Sequence, residues 1–292
     1  MKTLTIELNN NAFQIELLPE LCPKTLKKLE NHLPFRTELH YAKIAGEEIM
    51  SVMPFSSSLE NALEVSQARA GMLVFWPDRH VLCLYYGQMQ EEAAAISLLG
   101  YLKGGPEQFA QAGEHVRRGQ GKKMTFGTFY VEIPKSAVPM ITPTHATLHP
   151  FEFEIWEKIP DEIFQLTCRT GIMRPVGPLL YAEADTHAFH EYLASSILIL
   201  PDDANQLIQF SNIFCRQLKA FHNKMSGWYM VPKSASVIEA YLIRFSQTCD
   251  AGLYKSLLEN FMFFVGRLNY WFDALIPWNV FNEHMKRHPI RR

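Results

Sequence analysis

The chain has 292 residues, of which 48% are hydrophobic, 12% aromatic and 20% charged, with a formal net charge of −2. Such a length supports a sizeable core and suits two ordinary domains. The near-neutral charge excludes a general affinity for nucleic acid or an anionic membrane, and no apolar run approaches the roughly 18 residues that span a bilayer.

The opening "MKTLTIELNNNAF" lacks the uninterrupted apolar core of a signal peptide. Cys22, Cys83, Cys168, Cys215 and Cys249 are scattered, odd in number and never in a CxxC pair. Reduced, mostly buried thiols in a cytoplasmic protein are expected, without a disulfide framework or a zinc site.

In chain order, "KTLTIEL" and "FQIELLP" flank the asparagine-rich "NNNA" and predict a β-hairpin. "PKTLKKLENHL" places Leu26, Leu29 and Leu33 at helical spacing, with Pro34 closing the segment. "LHYAKIAGEEI" then gathers His40, Tyr41, Lys43, Glu47 and Glu48 at a strand-loop-strand junction hinged on Gly46. Three short apolar segments follow, "GMLVFWP", "HVLCLYYG" and "ISLLGYL", each ended or interrupted by Pro or Gly. "PEQFAQAGEHVRRGQ" predicts a helix with Pro106 in its first turn and arginines in its last. "MTFGTFYVEI" alternates as a half-buried strand should. Together these predict a small, closed or nearly closed β-barrel over residues 1–135.

The segment "PKSAVPMITPTHATLHP" carries four prolines and no period, so residues 136–150 read as a linker. Beyond it the period becomes helical. Asp202 or Asp203 can cap a helix whose Leu207, Phe210, Phe214, Leu218 and Phe221 share one stripe. Asp250 can cap a longer one running to Pro277, and residues 151–292 are expected to form a helical bundle. Phe261, Phe263, Phe264, Tyr270, Trp271 and Trp278 surround the last helix rather than one stripe, which predicts a homo-oligomer. The fold class expected is thus α+β and two-domain, an N-terminal barrel followed by an all-α bundle.

The succession of a β-hairpin, "CPKT" opening a helix that ends in "LP", a strand and "GEE" resembles the cyclophilin-like proteins. The nearest subtype is the small bacterial cyclophilin-like barrel, in which Tyr86 and Gly87 would fill a later Tyr-Gly position. The resemblance covers about residues 1–135. It departs from the prolyl isomerases, whose arginine would fall near Lys43, because lysine cannot replace a planar bidentate donor. A barrel of this kind followed by a helical bundle is similar to the cucumopine and mikimopine synthases, opine-forming enzymes encoded on bacterial T-DNA. That resemblance implies a cofactor-free condensation of L-histidine with 2-oxoglutarate by a Pictet–Spengler-type ring closure, with either configuration at the new stereocentre.

Such chemistry needs a proton donor for the departing hydroxyl, a base for the ammonium and a base for the ring proton. A carboxylate pair beside an amine supplies those roles, since neighbouring charges push the two pKa values apart. The catalytic candidates are therefore Glu47, Lys43, His40 and Tyr86. Adjacent side chains on a strand point to opposite faces, and Glu47, directly after Gly46, is the favoured base. Glu48, Trp76, Tyr85 and Lys103 are the candidate substrate-binding residues, with Arg117, Arg118, Lys122 and Lys123 as further cations for the substrate carboxylates. No metal site is expected: His145 and His149 lie in the proline-rich linker, and His187 and His190 lack a third ligand motif. Walker and GxGxxG spacings are absent, so nucleotide cofactors are not expected. Two other functions compete, a peptidyl-prolyl isomerase and a non-catalytic module that binds a small acid.

Overall fold

The computed structural model describes residues 1–43, 46–89, 93–168 and 176–288. Ile44 and Ala45 of the "LHYAKIAGEEI" stretch and the side chain of Cys168 lie outside the described set. The chain divides into two units, Met1–Ile141 with Ala274–Arg292, and Thr142–Asp273.

In the first unit, β1 (Thr3–Leu8) and β2 (Asn11–Leu17) form the expected hairpin. Its turn uses Asn9 and Asn10 in the left-handed region (φ 51 and 63), which short polar side chains tolerate. Helix α1 (Pro23–Glu30) starts on its proline, and the Glu60 carboxylate accepts the free N–H groups of Lys24 and Thr25 at 3.1 and 2.8 Å. There follow β3 (Phe35–Tyr41), β4 (Gly46–Val52), β5 (Ala62–Glu64), β6 (Met72–Trp76), β7 (Val81–Met89) and β8 (Ala95–Leu102). Helix α2 (Pro106–Gly119) and strand β9 (Thr125–Tyr130) complete the wall. The strands run β2-β1-β9-β3-β4-β7-β6-β8, and β8 returns to β2 to close an antiparallel ring of eight. Strand β5 pairs with the length of β8 that β2 leaves free.

Cross-strand register sorts the wall into faces, because directly opposed residues point the same way. Ile6 faces Phe13 and Phe129, Phe129 faces Phe35, and Ile49 faces both Tyr41 and Leu84. The alternate residues of β1 and β2, among them Glu7, Gln14 and Glu16, are exposed, so the first set points inward. On β4, β6, β7 and β8 the outward face is buried as well. Val74, Trp76, Val81, Cys83, Tyr85 and Leu98 form a second apolar cluster there, packed with Val65 and Ala68 at a short 3-10 turn. Burial on both faces explains why "GMLVFWP" and "HVLCLYYG" read as continuous apolar runs rather than alternating ones.

Helix α9 (Trp278–Arg287) belongs to this unit, whereas the sequence reading drew the bundle through residue 292. Asn279 Nδ2 donates to the carbonyl of Arg117 at 2.8 Å, and the Gly121 N–H donates to the carbonyl of Ala274 at 3.2 Å. Gly121 has φ +72, and any side chain there would run into Pro277. Its glycine is thus required twice, for the turn and for the close approach.

The second unit contains α3 (Phe151–Glu157), α4 (Asp161–Cys168), α5 (Val176–Leu198), α6 (Ala204–Asn223), α7 (Pro232–Gln247) and, apart from its last residue, α8 (Ala251–Ala274). Asp203 caps α6 by accepting from the N–H groups of Asn205 and Gln206, and Asp250 accepts from Leu253 N–H in the first turn of α8. The stripe expected on α6 is the buried one, with Leu207, Phe214, Leu218 and Phe221 all inside. Its rings interlock with the neighbouring helices. Phe221 stacks on Phe189 at 4.1 Å, and Phe214 meets Phe245 edge-on at 4.9 Å. Phe261, Phe263, Phe264, Tyr270 and Trp271 are buried within the single chain. That burial removes the ground on which they predicted an oligomer, since their apolar surface already has cover. Among the described residues, no helix is long and apolar enough to cross a membrane.

Candidate active site

The "LHYAKIAGEEI" stretch builds β3, the following turn and β4. His40 stands directly opposite Met50, and Tyr41 opposite Ile49. On the other side of β4, Glu48 stands opposite Tyr85 and Met50 opposite Cys83. Register therefore places His40, Glu48 and Tyr85 on the outward face, with Glu48 and Tyr85 paired and His40 diagonal to Glu48 in the adjacent pair of β3 and β4. Glu38, two residues before His40, shares that face, and its Oε2 lies 4.0 Å from His40 Nδ1. Glu38, His40, Glu48 and Tyr85 are each no more than 2% exposed. Two carboxylates, an imidazole and a phenol so far from water are expensive to bury, and such sites concentrate where proton chemistry is done.

Trp76 lies on the same outward face and in the same apolar cluster as Tyr85, with the Arg79 guanidinium 4.1 Å from its ring centroid. Glu38 was missed by sequence reasoning. The signal was present in "FRTELHY", where strand alternation puts Glu38 and His40 on one side.

Glu47 lies elsewhere. Between Gly46 and Glu48 the register with β7 is interrupted, Gly46 facing Met89 while Glu48 faces Tyr85. The Glu47 carboxylate spans this irregularity and accepts the Gln88 N–H at 2.6 Å. It fills the space that a side chain at Gly87 would need, so glycine at 87 is a condition for Glu47's position. Of the two adjacent carboxylates, Glu48 is the deeply buried one and Glu47 is half-buried.

Tyr86 points inward and packs flat on α2, where a side chain at Gly113 would fall inside its ring. Burial, reinforced by the charge of Glu114, raises its pKa well above the ordinary phenol range, and burial raises that of Tyr41 too. Both phenols stay protonated at neutral pH and serve as donors rather than bases. Arg117 is held by Glu114 through Nε and Nη2 at 2.5 and 2.7 Å, and Arg118 Nε reaches the same carboxylate at 2.6 Å. The Arg117 hydrogen bond holds the Glu114 carboxyl below its usual range.

Lys43 follows β3 with its ammonium 4.9 Å from the Trp278 ring centroid, a cation–π contact. Lys103 is not brought to this group. It is exposed on the β2–β8 seam, its N–H bonded to the Gln14 carbonyl at 2.7 Å, and it lines an open cleft of about 480 Å³ with Gln108 and Tyr130. The structure thus gathers His40, Glu48, Tyr85 and Trp76 on one face, adds Glu38, and sets Glu47, Tyr86, Lys43 and Lys103 apart from that group. Among the described residues, no group of three or more His, Cys, Asp or Glu is placed to hold a metal ion.

Residues 2–117 match the Cyclophilin-like family model. No curated protein matches the chain. Among solved structures, the chain is similar to that titled "Structure of McbB in complex with tryptophan", at a TM-score of 0.79 and 14% identity, covering 96% of this chain and 99% of that one. A second, the solution structure of the hypothetical protein AF2241 from Archaeoglobus fulgidus, is 17% identical and overlaps at a TM-score of 0.33 over 44% of this chain. The architecture is accordingly α+β, with an N-terminal cyclophilin-like β-barrel and a largely helical C-terminal part.

Proposed function

We propose that this protein is a ring-forming enzyme that condenses L-histidine with 2-oxoglutarate in a cofactor-free Pictet–Spengler-type reaction, giving cucumopine or mikimopine. The observation that carries the reading is the buried group of Glu38, His40, Glu48 and Tyr85 on the outer barrel face. Support also comes from the fold shared over nearly its whole length with McbB, whose structure holds tryptophan. Tryptophan and histidine are both α-amino acids with an electron-rich five-membered ring one methylene from the α-carbon.

In the reaction the histidine amine adds to the ketone, and loss of water leaves an imine. The imidazole carbon then attacks the imine carbon, forming the new carbon–carbon bond, and a base removes the ring proton to restore aromaticity. Glu48 is assigned as that base, because it is buried on the same face as His40 while Glu47 is engaged by the Gln88 N–H. His40, with Glu38 beside it, is assigned to pass a proton to the departing hydroxyl, and the Tyr85 hydroxyl to position the oxygen it leaves from. The surrounding apolar cluster, Trp76 included, would keep the imine from hydrolysis.

The test is mass spectrometry of the purified protein incubated with L-histidine and 2-oxoglutarate alone. A species one water lighter than the summed substrates, stable to borohydride and dependent on the protein, is expected. A folded protein that yields none overturns the synthase reading. Binding of one acid without chemistry would then favour a binding module, and acceleration of proline isomerisation an isomerase.

A further inference from the structure

Where β2 and β8 separate beyond Lys103, an open cleft of about 480 Å³ lies between the barrel wall and the start of α2. Register puts Gln14, Thr5 and Tyr130 in one row across β2, β1 and β9, because Thr5 stands directly opposite both of the others. Tyr130 is 6% exposed and Thr5 9%, and both line the cleft. Neither hydroxyl is sealed from solvent, and neither has a hydrogen-bond partner among the described residues. Burial, reinforced by the charge of Glu7, raises the Tyr130 pKa, so this phenol keeps its proton and can donate it. Buried polar groups are ordinarily paired, so two hydroxyls left open at a cavity wall point to a partner that a ligand supplies.

The opposite side of the cleft is the N-terminus of a 14-residue helix. Gly104 and Gly105 lead into it with φ +75 and +63, a region that glycine adopts without strain, and a side chain at Gly104 would meet nothing within 4 Å. Gly105 at the cap has no side-chain oxygen to give, and the N–H groups of Glu107 and Gln108 have no acceptor among the described residues. Such N–H groups carry the positive end of the helix dipole and favour an anion. Lys103 adds a full charge at the same rim, and among the described residues the lining holds that one cation and no acid. The Glu107 side chain is exposed and lies outside the lining.

We propose that the cleft between the β1–β2–β9 row and the start of α2 is a binding site for a small phosphate monoester. The phosphate meets Lys103 and the helix N–H groups on one side and the Thr5 and Tyr130 hydroxyls on the other. A tetrahedral oxyanion presents acceptors in both directions at once, whereas a carboxylate has two oxygens in one plane. The organic part lies against Val131 and Ile133, exposed apolar side chains of the same lining. The site does not depend on the ring-forming reading above, since occupancy is measured without turnover.

Calorimetric titration of the full chain with phenyl phosphate, inorganic phosphate and benzoate makes the test. Phenyl phosphate is expected to bind about tenfold or more tighter than either of the others, because inorganic phosphate lacks the organic part and benzoate the third oxygen. Tyr130→Phe deletes one hydroxyl from a packed ring and is expected to weaken phenyl phosphate about tenfold while the melting temperature holds. A tyrosine with a purely structural role would leave that affinity where it was. No binding of phenyl phosphate at millimolar concentration overturns the proposal. So does undiminished binding by Tyr130→Phe, which would put the anion elsewhere on the surface, and so does benzoate or inorganic phosphate binding as tightly as the ester. A Tyr130→Phe protein that fails to fold is replaced by Thr5→Val, which keeps the shape of threonine; the same loss is expected and the same retention overturns the site.

Discussion

Glu48 and Tyr85 stand directly opposite one another across β4 and β7, both almost wholly removed from solvent, while Glu47 next door is tied to the backbone of Gln88. Neighbouring carboxylates of one sequence motif therefore have different environments, and only one shares a face with His40.

The first prediction separates them. Glu48→Gln is expected to lower turnover by about 100-fold or more, the usual contribution of a general base, with the fold retained. Glu47→Gln is expected to cost less than about tenfold and to keep the fold, because the glutamine amide oxygen can still accept the Gln88 N–H. Initial rates by mass spectrometry together with denaturant melts read both. Equal losses of rate would sink the assignment of Glu48.

Gly87 yields a second expectation. Gly87→Ala places a methyl group where the Glu47 carboxylate lies, and should destabilise the barrel by about 1–3 kcal/mol. Glu47→Ala on that background removes the obstruction, so the double variant should be more stable than Gly87→Ala alone. A double-mutant cycle with no coupling energy would show that Glu47 and Gly87 do not share this space.

Acidification tests the second unit. Glu152 accepts from Leu148 N–H, His149 N–H and the Tyr241 hydroxyl, and burial raises its pKa despite those bonds. A carboxyl whose folded pKa is raised binds its proton more tightly folded than unfolded. It therefore adds stability that is fully present below its unfolded value near 4.5 and is lost as pH rises through the folded value. As pH is lowered from neutrality towards 4.5, the wild type should gain stability relative to Glu152→Gln. Melting temperatures across that range check it, and parallel curves would refute it.

Asp203→Ala is expected to cost about 1 kcal/mol by leaving the first N–H groups of α6 uncapped. A urea midpoint unchanged within error would show that the cap contributes nothing.

How far the sequence disclosed this molecule depends on the range of the interactions concerned. The hairpin, α2 with its leading proline, and the Asp203 cap were legible because their signals are local: turn residues, a fixed φ and a side chain reaching two residues on. The second apolar cluster was not, because alternation vanishes when both faces of β6 and β7 are covered and nothing in the run says by what. Strand alternation says that Glu47 and Glu48 point to opposite faces, and Glu47 was favoured only for its place directly after Gly46 and its match to the resembled Gly-Glu. The interrupted register at Gly46 and the length of β7 opposite it, neither visible in a single segment, settle where each carboxylate goes. Helix α9 escaped because its partner, the end of α2, is far away in sequence, and Asn279 carries no local mark of its bond to Arg117.

The discontinuity of the first unit has a consequence for the order of assembly on the ribosome. Every strand of the ring emerges before the helical unit, yet Gly121 and Arg117 wait for Ala274 and Asn279, which are translated after the whole of that helical insert. A nascent chain stalled within α8 would carry a complete set of barrel strands whose second helix lacks its clasp. Its protease sensitivity around residues 117–123 should disappear only once α9 has cleared the exit tunnel.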